Sequence, residues 1–180
     1  DIAMPASPAA EGEAAGPSVI QIWAMAPGSG GAGDLWAGTI PGGLFRSRDG
    51  GASWELNRSL WTMPEREQWT GGGYDDPGIH SLCIDPRNSK RVALAVSTGG
   101  VWITEDDGAT WHVASKGLRA AYMPPEMAYD LIAQDAHRMV QCAAAPDHYW
   151  IQHHNGIFRT VDSGANWSEV VPENCSAFGF

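Results

Sequence analysis

Hydrophobic and polar residues alternate along several short stretches of this chain, and glycine, proline and aspartate interrupt the alternation at regular intervals. A period of two residues predicts β-strands with one buried face. The strands fall in pairs, at 19–26 and 34–39, 79–85 and 91–97, and 137–143 and 148–153. The pattern therefore predicts an all-β chain built from short strands.

One phrase follows each pair of strands. It reads GGLFRSRDGGASW at 42–54, GGVWITEDDGATW at 99–111 and NGIFRTVDSGANW at 155–167. Its first two residues tolerate positive φ, which suits a tight hairpin into a third strand. The end of the phrase predicts a turn in which Asp accepts backbone hydrogen bonds, Gly takes the left-handed conformation and Trp anchors a fourth strand. The turn residues are Ser47, Asp49, Gly51, Trp54, Thr104, Asp106, Gly108, Trp111, Thr160, Asp162, Gly164 and Trp167.

The phrases are separated by 57 residues from Gly43 to Gly100 and by 56 from Gly100 to Gly156. Each unit thus holds four antiparallel strands, which is typical of a β-propeller blade, whereas a sandwich of three repeats is the alternative. Propellers close with roughly four to eight blades. The chain is therefore expected to be a three-blade segment of a longer propeller, whose remaining blades would be its first partners.

The motif Ser/Thr-x-Asp-x-Gly-x-x-Trp resembles the Asp-box, or BNR repeat, over about residues 18–180. Proteins with this repeat include sialidases, xyloglucan-degrading enzymes, sortilin-type receptors and photosystem assembly factors. The chain most resembles bacterial proteins described as glycosyl hydrolase-like or exo-sialidase-like. The resemblance implies an Asp-box propeller, and it implies a fold more than a function.

The predicted organisation has three parts. Residues 1–17 are rich in Ala, Pro and Gly and are expected to be mobile. Residues 18–175 hold the blades, and 176–180 resemble the start of a further blade. The blades span about 18–57, 79–114 and 137–171, and long crossovers span 58–78 and 115–136.

Charge and composition exclude several partners. The net charge of −10 is unfavourable for nucleic acid or an anionic membrane surface, and no stretch is long and apolar enough to cross a bilayer. No cofactor is expected. The cysteines Cys83, Cys142 and Cys175 lack metal-finger spacing, and buried free thiols are favoured over a disulfide. The compartment stays open, with the cytoplasm the first expectation and secretion the alternative.

The crossovers carry the residue types of a ligand site. Loops of about twenty residues are uncommon in compact domains unless they are functional. In a blade these crossovers share one rim with the hairpins between second and third strands, whereas the Asp-box turns lie on the opposite face. Aromatic rings and charges on one rim suit a carbohydrate or another small polar ligand. Any single aromatic side chain, however, is more often packed against the core than used to bind a ligand. The ligand-binding candidates are Trp61, Arg66, Trp69, Tyr74, His80, Arg119, Tyr122, His137, His153 and His154.

Histidines concentrate on this rim. His80 and His137 begin inner strands of consecutive units, and Gln21 is taken as their equivalent in the first unit, so the two histidines should meet near the channel mouth. A metal could be held together with Asp75, Asp76 or Asp135. Because no recognised metal-ligand spacing is present, polar residues around a wet channel are favoured and no metal is expected.

Catalysis is left undecided by the sequence. Sialidases of similar fold carry a Phe/Tyr-Arg-Ile-Pro motif, an arginine triad and a Tyr–Glu pair, and these elements are not found here. Glycoside hydrolysis by paired carboxylates remains open, with Glu65, Asp75, Asp76, Glu126 and Asp135 as candidates. The alternatives are a non-catalytic propeller that binds a glycan or a protein partner, and a purely structural array of blades.

Overall fold

The computed structural model describes residues 18–170, and these residues form three four-stranded antiparallel sheets, as predicted. The predicted mobile segment 1–17, the predicted further blade at 176–180 and Cys175 lie outside the described residues. The first blade contains β1 (Gln21–Pro27), β2 (Leu35–Ile40), β3 (Leu44–Ser47) and β4 (Glu55–Leu56). The second contains β5 (Ile79–Ile84), β6 (Val92–Val96), β7 (Gly100–Thr104) and β8 (His112–Val113). The third contains β9 (Ala136–Gln141), β10 (Tyr149–His153), β11 (Gly156–Thr160) and β12 (Ser168–Glu169).

The blades pack face to face through two hydrophobic cores. Between the first and second blades, Trp36 packs in a cluster with Trp102 and with one face of β6, formed by Val92, Leu94 and Val96. Between the second and third blades, the core includes Tyr149 and Phe158. Both faces of β6 and β7 are buried, because neighbouring blades cover the second blade on both sides. The strands lining the centre are joined through Ser81, whose hydroxyl accepts a hydrogen bond from the Met139 amide (2.9 Å).

The three Asp-box turns share one hydrogen-bonding scheme. In the second turn the Thr104 hydroxyl donates to Asp106 (2.8 Å) and accepts from the Gly108 amide (2.9 Å). Asp106 in turn accepts hydrogen bonds from the amide and the hydroxyl of Thr110 (2.8 and 2.6 Å). Gly108 has φ of 86°, the left-handed conformation predicted for it. Equivalent bonds hold the turns at Asp49 and Asp162.

The hairpins between second and third strands differ from one another, and the predicted positive φ occurs at only one of the expected dipeptides. Gly100 has φ of 78°, whereas the dipeptides at 42–43 and 155–156 do not adopt positive φ. The first hairpin contains a cis Ile40–Pro41 bond and closes through Thr39, whose hydroxyl accepts a hydrogen bond from the Gly43 amide (3.2 Å). In the third, the Asn155 side chain accepts a hydrogen bond from the Ala121 amide (2.9 Å), so its role is to hold the second crossover.

The first crossover has regular structure of its own, which the sequence did not indicate. A single-turn helix, α1 (Arg58–Trp61), is followed by a 3-10 helix at Pro64–Gln68. Asn57 caps α1 by accepting a hydrogen bond from the Leu60 amide (3.0 Å), and Leu60 is buried. None of the helices within residues 18–170 is long and apolar enough to span a bilayer.

Within residues 18–170, nothing fully covers the outer face of the third blade. Along β10, residues alternate between buried and accessible, and Trp150 is 38 % exposed while its neighbours Tyr149 and Ile151 are buried. Val140, paired with Trp150 on β9, is 46 % exposed. This sheet therefore presents an apolar face of the kind that neighbouring blades cover elsewhere in the structure. The cysteines within the described residues are free thiols, with Cys83 buried and Cys142 partly buried.

Candidate ligand-binding rim

Each inner strand carries a β-bulge at the same place. The register shifts between Ile22 and Ala24 in β1, between Ile79 and Ser81 in β5, and opposite Gln152 and His153 in β9. The bulged residues are Trp23, His80 and His137. Bulges redirect a side chain and are common beside functional sites.

The register corrects one sequence-based prediction. The sequence pattern predicts Gln21 as the first-blade equivalent of His80, but the bulge assigns that position to Trp23. The sequence did carry a signal for this residue, because Trp23, His80 and His137 are each separated by 57 residues. Alternation of polar and apolar residues could not reveal it, since a bulge breaks the alternation by one position.

The bulged residues form a continuous row of rings across the three blades. The ring centroids of Trp23 and His80 lie 4.1 Å apart, and those of His80 and His137 lie 5.7 Å apart. The prediction that the two histidines meet is thus confirmed. The row continues from His137 to His154 (5.9 Å). We call the set of Tyr74, Trp23, His80, His137, His154 and Tyr122 the ring row.

Both ends of the ring row are tyrosines from the crossovers. Tyr74 of the first crossover contacts Trp23 edge-on at 5.3 Å and is 61 % exposed. Tyr122 of the second crossover contacts His154 at 5.1 Å and is 43 % exposed. The Tyr122 hydroxyl donates to the Ala133 carbonyl (2.9 Å), which holds the ring in place. The crossovers therefore extend the ring row at both ends, beyond the residues that the blades contribute.

A buried carboxylate lies beneath the row. Asp135 Oδ2 is 3.4 Å from His137 Nε2 and 3.3 Å from His154 Nδ1, and Asp135 is only 7 % exposed. Burial disfavours its charged form, but the hydrogen bond from His137 and the charges of the surrounding histidines outweigh this, so the pKa of Asp135 is lowered. The Asp135 hydrogen bond conversely raises the pKa of His137. The pair is thus arranged to hold opposite charges.

Two other histidines are held neutral. Burial lowers the pKa of His80 to about 4, helped by the nearby His137, and burial also lowers the pKa of His153 to about 4. His153 is completely buried against Phe158 and Tyr122, so it supports the rim from below and does not reach its surface.

Gly72 brings the first crossover close to Asp135. Its φ of 64° is left-handed, and a Cβ built there would lie 3.4 Å from Asp135 Oδ2 and 3.1 Å from the Thr98 hydroxyl. A side chain at this position would therefore be strained and would crowd the carboxylate. The loop between Gly72 and Tyr74 forms one wall of the rim.

The remaining first-crossover candidates form a separate cluster around Arg66. The Arg66 guanidinium lies 3.7 Å from the centre of the Trp61 ring and donates to the Gly42 carbonyl (3.3 Å). Trp69 is 5 % exposed and packs against Trp102 at 5.8 Å. Its ring therefore belongs to the core and is not available to a ligand, which corrects its place among the candidates.

The remaining ligand-binding candidate is Arg119 of the second crossover. Arg119 is ion-paired with Glu169 (3.2 Å), whose carboxylate lies over Gly156 of the third hairpin. The remaining carboxylates of the sequence-based catalytic set stand on the crossovers, where Glu65, Asp75 and Glu126 are exposed and Asp76 is partly buried. Asp135 is the member of that set that contacts the ring row directly.

Comparison with known proteins supports the fold. No family model matches the chain. It is 24 % identical over 160 residues to an oligoxyloglucan-reducing end-specific xyloglucanase from Emericella nidulans. Its structure is similar to an ancestral GH74 enzyme (TM-score 0.60, 15 % identity, 87 % of this chain) and to the GH74 xyloglucanase from Xanthomonas campestris (TM-score 0.56, 17 % identity, 88 %). It is also similar to YCF48 bound to D1 peptide (TM-score 0.56, 20 % identity, 96 %).

The chain covers only part of each of these proteins. It spans 18 % of the length of the curated xyloglucanase, 19 % and 25 % of the two GH74 chains and 46 % of the YCF48 chain. The three blades are therefore a partial β-propeller related to the GH74 xyloglucanase and YCF48 propellers. The comparisons give no specific support to a sialidase.

Proposed function

We propose that the three blades bind a carbohydrate-like ligand along the ring row. The observation that carries this proposal is the continuous series of ring contacts from Tyr74 through the bulged residues to Tyr122, which spans all three blades on one rim. Sugar rings have apolar faces that stack on aromatic side chains and hydroxyl edges that accept and donate hydrogen bonds. A row of partly exposed rings above a carboxylate offers both kinds of contact.

The chemistry of Asp135 favours binding over acid catalysis at this position. A glycosidase needs a carboxylic acid whose pKa is raised, so that it can protonate the leaving oxygen. The pKa of Asp135 is instead lowered, so its side chain is a carboxylate near neutral pH. It would accept hydrogen bonds from sugar hydroxyls or act as a base. If the complete propeller hydrolyses its ligand, we expect another of the candidate carboxylates, from these crossovers or from other blades, to act as the acid.

The similar proteins indicate which class of ligand to test first. A xyloglucanase and two GH74 enzymes have this fold, so xyloglucan and its oligosaccharides are the first ligands to test. A protein partner is the second candidate, because YCF48, which is also similar in fold, binds D1 peptide. An extended peptide would pack its apolar side chains on the same rings. The two candidate functions therefore concern the same surface and differ in the ligand.

The test uses the complete protein that contains these blades. Its affinity for xyloglucan oligosaccharides and for other neutral glycans is measured by calorimetry, and release of reducing ends is followed in parallel. We expect Tyr74→Ala and Tyr122→Ala to weaken binding about tenfold each, the effect of losing one stacked ring. Tyr129→Ala is the matched control, since Tyr129 lies on the same crossover as Tyr122 and is 64 % exposed but does not contact the ring row.

The outcomes separate the candidate functions. Glycan binding that both ring-row variants weaken, without release of reducing ends, supports a binding module, and release supports a hydrolase. Absence of glycan binding by the folded protein contradicts the proposal and leaves the protein partner or the structural array. Equal losses in Tyr129→Ala and Tyr122→Ala would also contradict it, because binding would then not depend on the ring row.

A further inference from the structure

We propose that Asp135, His137 and His154 form a binding site for a divalent transition-metal ion, with Zn²⁺ the ion that fits best. The two histidines and the carboxylate each offer one ligand atom, and all three atoms lie within 4.8 Å of one another. Neither the fold nor the proposed glycan binding requires such a site. The inference departs from the sequence-based expectation that no metal is bound.

The distances to the carboxylate fit a tetrahedral ion. Zinc lies about 2.0–2.1 Å from histidine nitrogen and carboxylate oxygen, so two tetrahedral ligand atoms stand about 3.3 Å apart. Asp135 Oδ2 is 3.4 Å from His137 Nε2 and 3.3 Å from His154 Nδ1. The two histidine nitrogens also lie within 4.8 Å of each other. Two of the three distances between ligand atoms that a tetrahedral site requires are therefore present in the structure.

The backbone fixes the three ligands relative to one another. Asp135 and His137 flank Ala136, which pairs with His153, and the bulge at this point turns His137 toward the carboxylate. The His154 amide donates to the Asp135 carbonyl (3.0 Å), which holds the third ligand beside the first. The two imidazole rings are nearly parallel, with an interplanar angle of 27°. Such positioning lowers the entropic cost of assembling a metal site.

An unpartnered carboxylate oxygen is the second observation. Asp135 Oδ1 is buried and accepts no hydrogen bond from the residues that the structure describes. Buried carboxylate oxygens are otherwise almost always hydrogen-bonded, because an unsatisfied one is costly. An ion bound through Oδ2 would supply this partner if the carboxylate were bidentate, or if a water on the ion donated a hydrogen bond to Oδ1.

The site would be open on one side. The His137 side chain is 33 % exposed and that of His154 is 51 % exposed, so a fourth ligand can approach from the rim. Three protein ligands and an open position are typical of zinc sites that bind water or a substrate oxygen. His137 and His154 both belong to the ring row, so a bound ion would lie beside any ligand held there.

The competing explanation is an ion pair between Asp135 and protonated histidines, which would give similar distances without a metal. The experiment begins with the complete protein, stripped of metal with a chelator and titrated with ZnCl₂ in a calorimeter at about pH 7.5, where neutral histidine can bind metal. Titration with Co²⁺ adds a spectroscopic signal, because tetrahedral Co²⁺ absorbs visible light far more strongly than the octahedral aqueous ion. We expect one Zn²⁺ per chain at this site.

Three variants test the ligands individually. His154→Ala, His137→Ala and Asp135→Asn should each weaken Zn²⁺ binding about a hundredfold or more, since even the outer partners of a metal ligand contribute 10–100-fold. His112→Ala is the control, because His112 is exposed on β8 and stands outside the cluster. His154 is itself half exposed, so its removal should leave the fold intact, and far-ultraviolet circular dichroism checks this. Failure of the folded wild-type protein to bind Zn²⁺, or unchanged affinity in His154→Ala, would overturn the proposal.

Discussion

Asn57 and Trp111 connect the first crossover to the second Asp-box turn. Asn57 Oδ1 accepts a hydrogen bond from Trp111 Nε1 (3.1 Å) and also caps α1 through the Leu60 amide. Its Nδ2 donates to the Gly108 carbonyl (2.9 Å). One amide side chain thus joins a crossover helix, a turn tryptophan and the backbone of the next blade.

Replacing this side chain should destabilise the fold. We expect Asn57→Ala to lower the free energy of unfolding by about 1–3 kcal/mol, because a helix cap and two inter-blade hydrogen bonds are lost together. Urea denaturation of the complete protein measures the change. Gln68→Ala, at an exposed position of the neighbouring 3-10 helix, should stay within about 0.5 kcal/mol of wild type. Equal stability of the two variants would show that the Asn57 contacts contribute little.

The Asp-box turns predict loss of stability in acid. Hydrogen bonds from Ser53, Thr110 and Asn166 are the largest causes that lower the pKa of Asp49, Asp106 and Asp162 from 3.8 to about 2. A carboxylate with a lowered pKa in the folded state contributes stability above the pKa of the unfolded chain and loses it as the pH falls. Stability should therefore decline between about pH 4 and pH 2, and Asp106→Asn should reduce the slope of that decline. A slope unaltered by Asp106→Asn would contradict the role of this carboxylate.

The same turns should be separable from ligand binding. Asp106→Ala removes the acceptor of both Thr110 hydrogen bonds, and we expect a lower melting temperature of the complete protein. Affinity for the rim ligand should be unchanged, since the turn between β7 and β8 lies at the opposite end of the blade from the ring row. If the melting temperature is retained and binding is lost, the two faces have been assigned in reverse.

The buried histidines predict that folding stability also depends on pH above the range in which the Asp-box carboxylates titrate. Burial lowers the pKa of His80 and His153 from 6.5 to about 4, so the unfolded chain takes up their protons first as the pH falls. Their contribution to stability is complete above about pH 6.5 and is lost toward pH 4. His137 acts in the opposite sense, because its pKa is raised and its contribution is lost as the pH rises through that value.

His153 offers the simpler test because it is completely buried. His153→Gln should remove up to one proton from the difference between unfolded and folded states, which reduces the slope of stability against pH by up to about 1.4 kcal/mol per unit. Denaturation curves at several pH values between 4 and 7 measure this slope. An unchanged slope in a folded variant would mean that another group is responsible.

The exposed apolar residues on the outer face of the third blade predict association of the isolated chain. Trp150 and Val140 lie side by side on the outer face of the third blade, and exposed apolar patches promote self-association. The 180-residue chain by itself should oligomerise or aggregate, and Trp150→Glu should reduce this. Size-exclusion chromatography with light scattering at several concentrations decides the matter. A compact monomer that melts cooperatively would show that this face is tolerated in water.

The repeat explains how much could be predicted from the sequence. The strands, the Asp-box turns and the meeting of His80 with His137 follow from units of nearly constant length. The sequence favours burial for any single crossover aromatic, and Trp69 agrees with this. It could not show which aromatics are buried, because a tryptophan in a crossover has the same composition signal whether it faces a ligand or Trp102. Trp23 was missed since a bulge shifts the alternation, and Asp135 became distinctive only when the turn after β10 brought His154 to its side chain.

The bulges give each blade one replaceable position in the ring row. Trp23, His80 and His137 contribute a large apolar ring, a neutral imidazole and an imidazole paired with a carboxylate. A mutation at one of these positions alters the ring row in a single blade, while the hydrogen bonds between the strands of that blade stay the same. The contribution of each blade to the ring row can therefore be varied separately, one side chain at a time, without altering the scaffold.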